Sequence, residues 1–449
     1  MREIHPGLVV RIRLPDGYVA RAWGGVASLE LAAPITPETV MNVGSVAKQV
    51  TAYLAVLSAR GGQLDLQISA AHILPRLRMA DVTVVELIRH GGGIRDAESM
   101  LSLAGLRELD HYTGDDLLEL AYRQYERAVS PGHFLYSNTG YLLLTKILET
   151  VHGTGIQQLA DELVFAPLGM RSTCFKADPR KVIPHAASSY SLASDGSWEH
   201  QARPVALPGP GSLWTSTSDL CRWLGHLQQC WADQPTGTLL FDAEIGYVTS
   251  DRAPYRYGPG LYAGPWKPDG DMVFHSGHEH GFSAATHFNR AGLRVVCLSN
   301  NADVKADHMA ARIVNYLVEG QAIEDTQMFL NELVAADAAV TKRCAATPPA
   351  EEFTEPAEGL RPSRFACDQV PGALRLARNG TTIFLWRRGT CDRLIPASAD
   401  GLTYDGPGYT LTLPAVPDMA GRGPSGFTLN LDRAPGLQYR AILSDNENA

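Results

Sequence analysis

What this 449-residue chain has little of narrows it first. It contains no Cys-x-x-Cys pair, and its seven cysteines, Cys174, Cys221, Cys230, Cys297, Cys344, Cys367 and Cys391, are scattered and odd in number. That spacing argues against a zinc ribbon or a paired disulfide framework and fits reduced thiols. No apolar stretch is long and charge-free enough to span a bilayer. Long runs of one charge are also missing: charged residues make up 19% of the chain, and the formal net charge of −9 is thinly spread. Neither a nucleic-acid footprint nor a membrane-surface patch is expected, and a small-molecule or peptide partner fits better. The N-terminal segment alternates apolar and charged residues and lacks the pattern of a secretion signal, so the expected localisation is cytoplasmic. The glycine-rich runs have no Lys-Ser or Lys-Thr after them, which removes a Walker-type phosphate loop. No cofactor is expected.

What is present is enough apolar residue, 45%, for a large core and two domains. Alternating segments at 8–14 and 18–27 around Pro15-Asp16-Gly17 read as a hairpin. Helical spacing follows at 46–59, 82–88, 114–125, 141–151, 153–165 and 220–229, with Thr83 as a candidate cap. Strand patterns return at 257–262, 272–275, 282–289 and 293–298, followed by helical patterns at 302–318 and 326–339. Strands, then helices, then strands and a final helix indicate an α+β fold with an antiparallel sheet shared by both ends of residues 1–340. A Pro- and Glu-rich linker is expected at 341–362. Beyond it the helical signal stops, and eight short strand patterns within 363–449 indicate a small all-β barrel.

Ser45-Val46-Ala47-Lys48 is the stretch with the most chemical content. A hydroxyl and an amine three positions apart at a helix start share one face, and the helix N-terminus favours developing negative charge. Ser45 could equally be a helix cap. Tyr136-Ser137-Asn138 places polar groups at another loop-to-helix junction, His275-Ser276-Gly277 lies in a strand pattern, and His90 opens a three-glycine loop. His275, His278, Glu279, His280 and His287 cluster locally, but no His-Glu-x-x-His helix is present, so no metal is expected. Trp214 and Tyr262 are candidates for a pocket wall or for core packing.

In this order and at these separations, the pieces resemble the serine hydrolases related to class C β-lactamases, penicillin-binding DD-peptidases and D-aminopeptidases. Leu87–Ile94, Pro167–Met170 and Gly211–Leu220 are similar as well, and the resemblance covers residues 8 to about 320. It implies a β-lactamase/transpeptidase-like domain and, through the penicillin-binding-protein-type thioesterases, a lipocalin-like barrel. It also implies an acyl-enzyme at Ser45, a proton network of Ser45, Lys48 and Tyr136, and Asn138 bonded to Lys48 and the substrate. Gly277 would permit close approach, and the His278 N–H would join that of Ser45 as an oxyanion hole. Many relatives have Lys where this chain has His275. A partly charged His there points away from a true β-lactamase, towards a peptidase, amidase or esterase. Two other readings stay open: acyl transfer to an amine, as in thioesterases that cyclise peptides, and a catalytically silent ligand-binding relative.

Overall fold

A computed structural model describes residues 4–103, 110–201, 205–232, 248–266, 271–318, 328–333, 363–379, 382–387, 390–398, 400, 402–414 and 424–442. Its central feature is an antiparallel sheet built from both ends of the first 320 or so residues. The strands are β1 (Leu8–Arg13), β2 (Val19–Gly24), β3 (Val248–Thr249), β4 (Arg256–Gly258), β5 (Leu261–Pro265), β6 (Asp271–Glu279), β7 (Phe282–Phe288) and β8 (Arg294–Ser299). They lie in the order β3-β4-β5-β6-β7-β8-β1-β2. The pairing of β1 with β8, Val9 opposite Leu298 and Val10 opposite Cys297, closes the N-terminal hairpin onto the later strands.

Because strand side chains alternate in direction, this sheet buries both faces. Leu8, Val10, Ile12, Ala285 and Cys297 face the core under α6 (Ala306–Val318), while Val9, Ala284, Val296 and Leu298 join the larger core formed with the other helices. These include α1 (Ala47–Arg60), α2 (Val84–Ile88), α3 (Gly114–Arg123), α4 (Asn138–His152) and α5 (Thr217–Ala232). Nearly all of α1 is buried, so this helix is a pillar of the core and fixes whatever stands at its start. Thr83 and Glu86 form the capping box that starts α2.

Three expectations need correction. The single strand expected at 257–262 is two strands, because Gly260 takes a left-handed φ of +68° and turns the chain between β4 and β5. α4 starts at Asn138, earlier than periodicity suggests, since Ser137 Oγ accepts from the Gly140 N–H as the cap. The helix expected at 153–165 is a short α-helix, Ile156–Ala160, running into a π turn at Asp161–Phe165. The linker expected at 341–362 lies outside the described residues.

The C-terminal strands are β9 (Ser363–Cys367), β10 (Val370–Asn379), β11 (Thr382–Arg387), β12 (Thr390–Pro396), β13 (Thr403–Gly406), β14 (Tyr409–Thr412), β15 (Gly426–Leu431) and β16 (Ala434–Ala441). They close into a barrel, with β9 pairing β16. Inward residues such as Phe365, Ile383, Leu411 and Leu437 fill it. Among the described residues no helix is long and apolar enough to cross a membrane.

Candidate active site

Ser45 lies in a single 3-10 turn, Gly44–Val46, that leads into α1, and its side chain makes no cap bond. Its hydroxyl instead accepts a hydrogen bond of 2.9 Å from Lys48 Nζ. The same nitrogen donates to Asn138 Oδ1 at 2.8 Å and to the carbonyl oxygen of Pro210 at 2.8 Å. Lys48 is fully buried, so these three acceptors replace its water shell. They also orient it. If the amine is neutral, two N–H groups still satisfy Asn138 and Pro210, and the lone pair is left pointing at the Ser45 hydroxyl. The nitrogen can therefore give or take a proton at Ser45 without moving.

The turn carrying Ser45 is pressed onto β6. A Cβ added to Gly277 would stand 2.0 Å from the Val43 carbonyl oxygen and 2.7 Å from the Ser45 nitrogen, and one added to Gly44 would stand 2.8 Å from the His278 nitrogen. Two glycines thus let backbone meet backbone, with the Ser45 nitrogen against Gly277 and the His278 nitrogen against Gly44. β5 covers β6 only as far as Phe274, so Ser276 to Glu279 have no strand partner on that side among the described residues. An extended peptide could add there as a strand.

Tyr136 sits in an aromatic group with His90, at 4.2 Å between ring centroids, and its ring is 5.0 Å from Lys48 Nζ. His90 fixes the loop: its Nδ1 accepts from the Ser137 N–H at 3.2 Å and its carbonyl from the Leu135 N–H at 2.8 Å. His275 is buried. Its Nδ1 must donate to the Ser276 carbonyl at 2.6 Å, so Nε2 is the acceptor for the Tyr257 hydroxyl at 3.2 Å. Burial, and then the nearby Lys48 charge, lower its pKa to about 3. The expectation of a partly charged His275 is corrected: it is neutral at ordinary pH.

Two cavities flank Ser45 and share it with Asn138, His278 and Arg433. One, of about 350 Å³, extends past Gly211 and Glu279 to Phe282 and is bounded by Glu98. The other, of about 370 Å³, is walled by Tyr136, Tyr262, His275, Ser276 and Arg252. Tyr262 is therefore a wall residue, whereas Trp214 packs edge-on against Phe282.

Four contributors were not singled out from sequence. Arg433 arrives from the β15–β16 turn of the barrel, its guanidinium 5.0 Å from the Tyr136 ring. Asp96 accepts the Asn138 backbone N–H at 2.7 Å, and Glu98 accepts the Asn138 side-chain N–H at 2.9 Å. Burial, followed by the charge of Glu98, pushes the Asp96 carboxyl above its ordinary range. The fourth is the Pro210 carbonyl oxygen. Two had a sequence signal: Asp96 stands just after the glycine loop, and Pro210 lies in a Pro- and Gly-rich section that reads as a pocket wall.

A family model described as Beta-lactamase matches residues 2–318. The chain belongs to the Beta-lactamase family. Its relatives in this family include a D-aminopeptidase of Gluconobacter oxydans, 26% identical over 309 residues that are 66% of this chain and 56% of that protein. A Beta-lactamase of Pseudomonas fluorescens is 29% identical over 258 residues, 55% of this chain and 66% of that one. The chain thus spans little more than half the length of the first of these curated relatives. Among solved structures, the octameric penicillin-binding protein homologue of Pyrococcus abyssi superposes with a TM-score of 0.61 at 21% identity, covering 97% of this chain and 95% of that one. That likeness concerns the fold and extends through the barrel.

Proposed function

We propose that this chain is a serine hydrolase that forms an acyl-enzyme at Ser45 and passes the acyl group to water, with a peptide, amide or ester as substrate, D-residues included. The observation that carries the reading is the Lys48 nitrogen, held by Asn138 and Pro210 so that its remaining position faces Ser45 Oγ at 2.9 Å. In this reading the neutral Lys48 amine accepts the Ser45 proton on its lone pair as the oxygen attacks the carbonyl, becoming the ammonium. The oxyanion is met by the N–H groups of Ser45 and His278, which the close approach at Gly277 allows. Tyr136 carries a proton between nucleophile and leaving group, and Asn138 and the open edge of β6 hold the substrate amide. His275 acts as a neutral hydrogen-bonding wall residue. Residues 1–340 form the catalytic domain and 363–449 a separate barrel. The names of the relatives, D-aminopeptidase among them, support an amide substrate with a D-residue.

Intact-mass spectrometry with a fluorophosphonate and a panel of D- and L-peptide amides and esters tests this. A single adduct that maps to Ser45 and disappears in Ser45→Ala is the expected result, and full turnover by Ser45→Ala would overturn the assignment. A second reading, transfer of the acyl group to an amine, is supported by the two cavities flanking Ser45, which leave room for a donor and an acceptor at once. Adding an amino-acid amide to a peptide ester separates the two: a new amide product supports transfer, and the free acid alone supports hydrolysis.

A further inference from the structure

Glu98 belongs to none of the motifs, yet it stands two bonds from Lys48. It lies at the start of the short helix Ala97–Leu103, half-buried, on the wall of the cavity that also contains Ser45. One carboxylate oxygen accepts from the Tyr112 hydroxyl at 2.6 Å and the other from Asn138 Nδ2 at 2.9 Å. The opposite end of the same amide, Asn138 Oδ1, accepts from Lys48 Nζ at 2.8 Å.

These partner types admit one orientation of the amide. A carboxylate can only accept, and Lys48 must donate to Asn138 if its remaining position is to face Ser45. Turning the amide over would set Nδ2 against the Lys48 N–H groups and Oδ1 against the carboxylate, two repulsive contacts in place of two hydrogen bonds. Asp96 holds the Asn138 backbone but exerts no preference on the amide rotamer. Resting on the serine-hydrolase reading above, we infer that Glu98, itself set by Tyr112, is a positioning residue that locks Asn138 with its carbonyl oxygen toward Lys48, and so aims the Lys48 nitrogen at Ser45.

Glu98→Ala frees the amide to turn. Glu98→Gln keeps an acceptor, Oε1, for Asn138 Nδ2, and its own N–H can go to the Tyr112 oxygen. The rate of Ser45 acylation by a fluorophosphonate should fall about 10- to 100-fold in Glu98→Ala, the cost of a misplaced proton acceptor, with the reversible affinity for the reagent changed less than about threefold. Glu98→Gln should return to within about threefold of the native rate. Tyr112→Phe, which leaves the Glu98–Asn138 bond in place, should lose about two- to fivefold. A native rate in Glu98→Ala overturns the proposal, as does a Glu98→Gln rate no better than that of Glu98→Ala, which would indicate a need for charge. A loss confined to affinity would make Glu98 a ligand-binding group and also overturns it. A measurement independent of catalysis uses full-length Ser45→Ala protein with 15N in its asparagine side chains, the Asn138 pair being assigned through Asn138→Asp. The Asn138 amide protons should shift in Glu98→Ala and stay near their native positions in Glu98→Gln. Unshifted protons in Glu98→Ala overturn the proposal even if Ser45 were never acylated, whereas absent acylation with shifted protons would count only against the serine reading.

Discussion

At single residues, burial decides charge. His287 packs flat against Phe274 at 5.1 Å and edge-on to Trp266 at 5.5 Å, and its Nδ1 has no hydrogen-bond partner among the described residues. Burial lowers its pKa from 6.5 to about 3, with the charge of Asp307 opposing. The unfolded chain therefore takes up a proton at this residue as pH falls below 6.5, while the native state does so only near 3. Stability is complete above the unfolded pKa and is lost as pH falls toward the folded one, by about 1.4 kcal/mol per pH unit for each such histidine. His275 and His90 act in the same direction. Phe fits the aromatic slot of His287, so His287→Phe should match or exceed native stability at pH 7. Urea titrations between pH 6.5 and 4 should show its pH slope reduced by about 1.4 kcal/mol per unit. An unchanged slope would show that His287 is protonated in the native state.

Among elements, the contact between β6 and the Ser45 turn is the one that assembles the site. Gly277 has no room for a methyl group because the obstructing atoms, Val43 O and Ser45 N, are backbone and cannot swing aside. Gly277→Ala should force the strand and turn apart and separate the two amides proposed above to meet the oxyanion. The expected loss in Ser45 acylation rate is about 100-fold, the scale of one missing oxyanion donor. The melting temperature should fall by a few degrees as well. Calorimetry beside labelling kinetics checks this, and a native labelling rate would count against the assignment of Ser45 N and His278 N. Element identity was largely legible: α1, the β1–β2 hairpin and all eight barrel strands follow from periodicity. The misjudged boundaries, at 138, 153–165 and 257–262, were set by a side-chain cap, a π turn and a left-handed glycine, local backbone events that hydrophobic spacing does not locate.

For the molecule as a whole, the barrel reaches into the site. Arg95, nearly fully buried, donates from Nε to the Pro435 carbonyl at 2.8 Å and from Nη1 to Gln369 Oε1 at 3.1 Å, fastening the glycine-loop region to the barrel. One residue further on, the Asp96 N–H donates to the Arg433 carbonyl at 2.8 Å. These bonds hold Arg433 at the wall of both cavities. Arg95→Met keeps much of the volume but strands the acceptors, so it should cost about 3 kcal/mol. It should also split one melting transition into two and slow Ser45 labelling, as Arg433 and the Asp96–Asn138 contact drift. A single transition at the native temperature in calorimetry would show that the barrel is held by other means.

The sequence by itself determined most of the elements, the two folding patterns and the pairing of the Ser45 hydroxyl with the Lys48 amine, because hydrophobic period and three-residue spacing are local properties of the chain. Only the tertiary structure decided that His275 is neutral, that Glu98 grips Asn138 and that Arg433 of the barrel stands beside Tyr136. Each of those depends on burial or on contacts between distant segments, 40 residues apart for Glu98 and Asn138, and no local pattern encodes them.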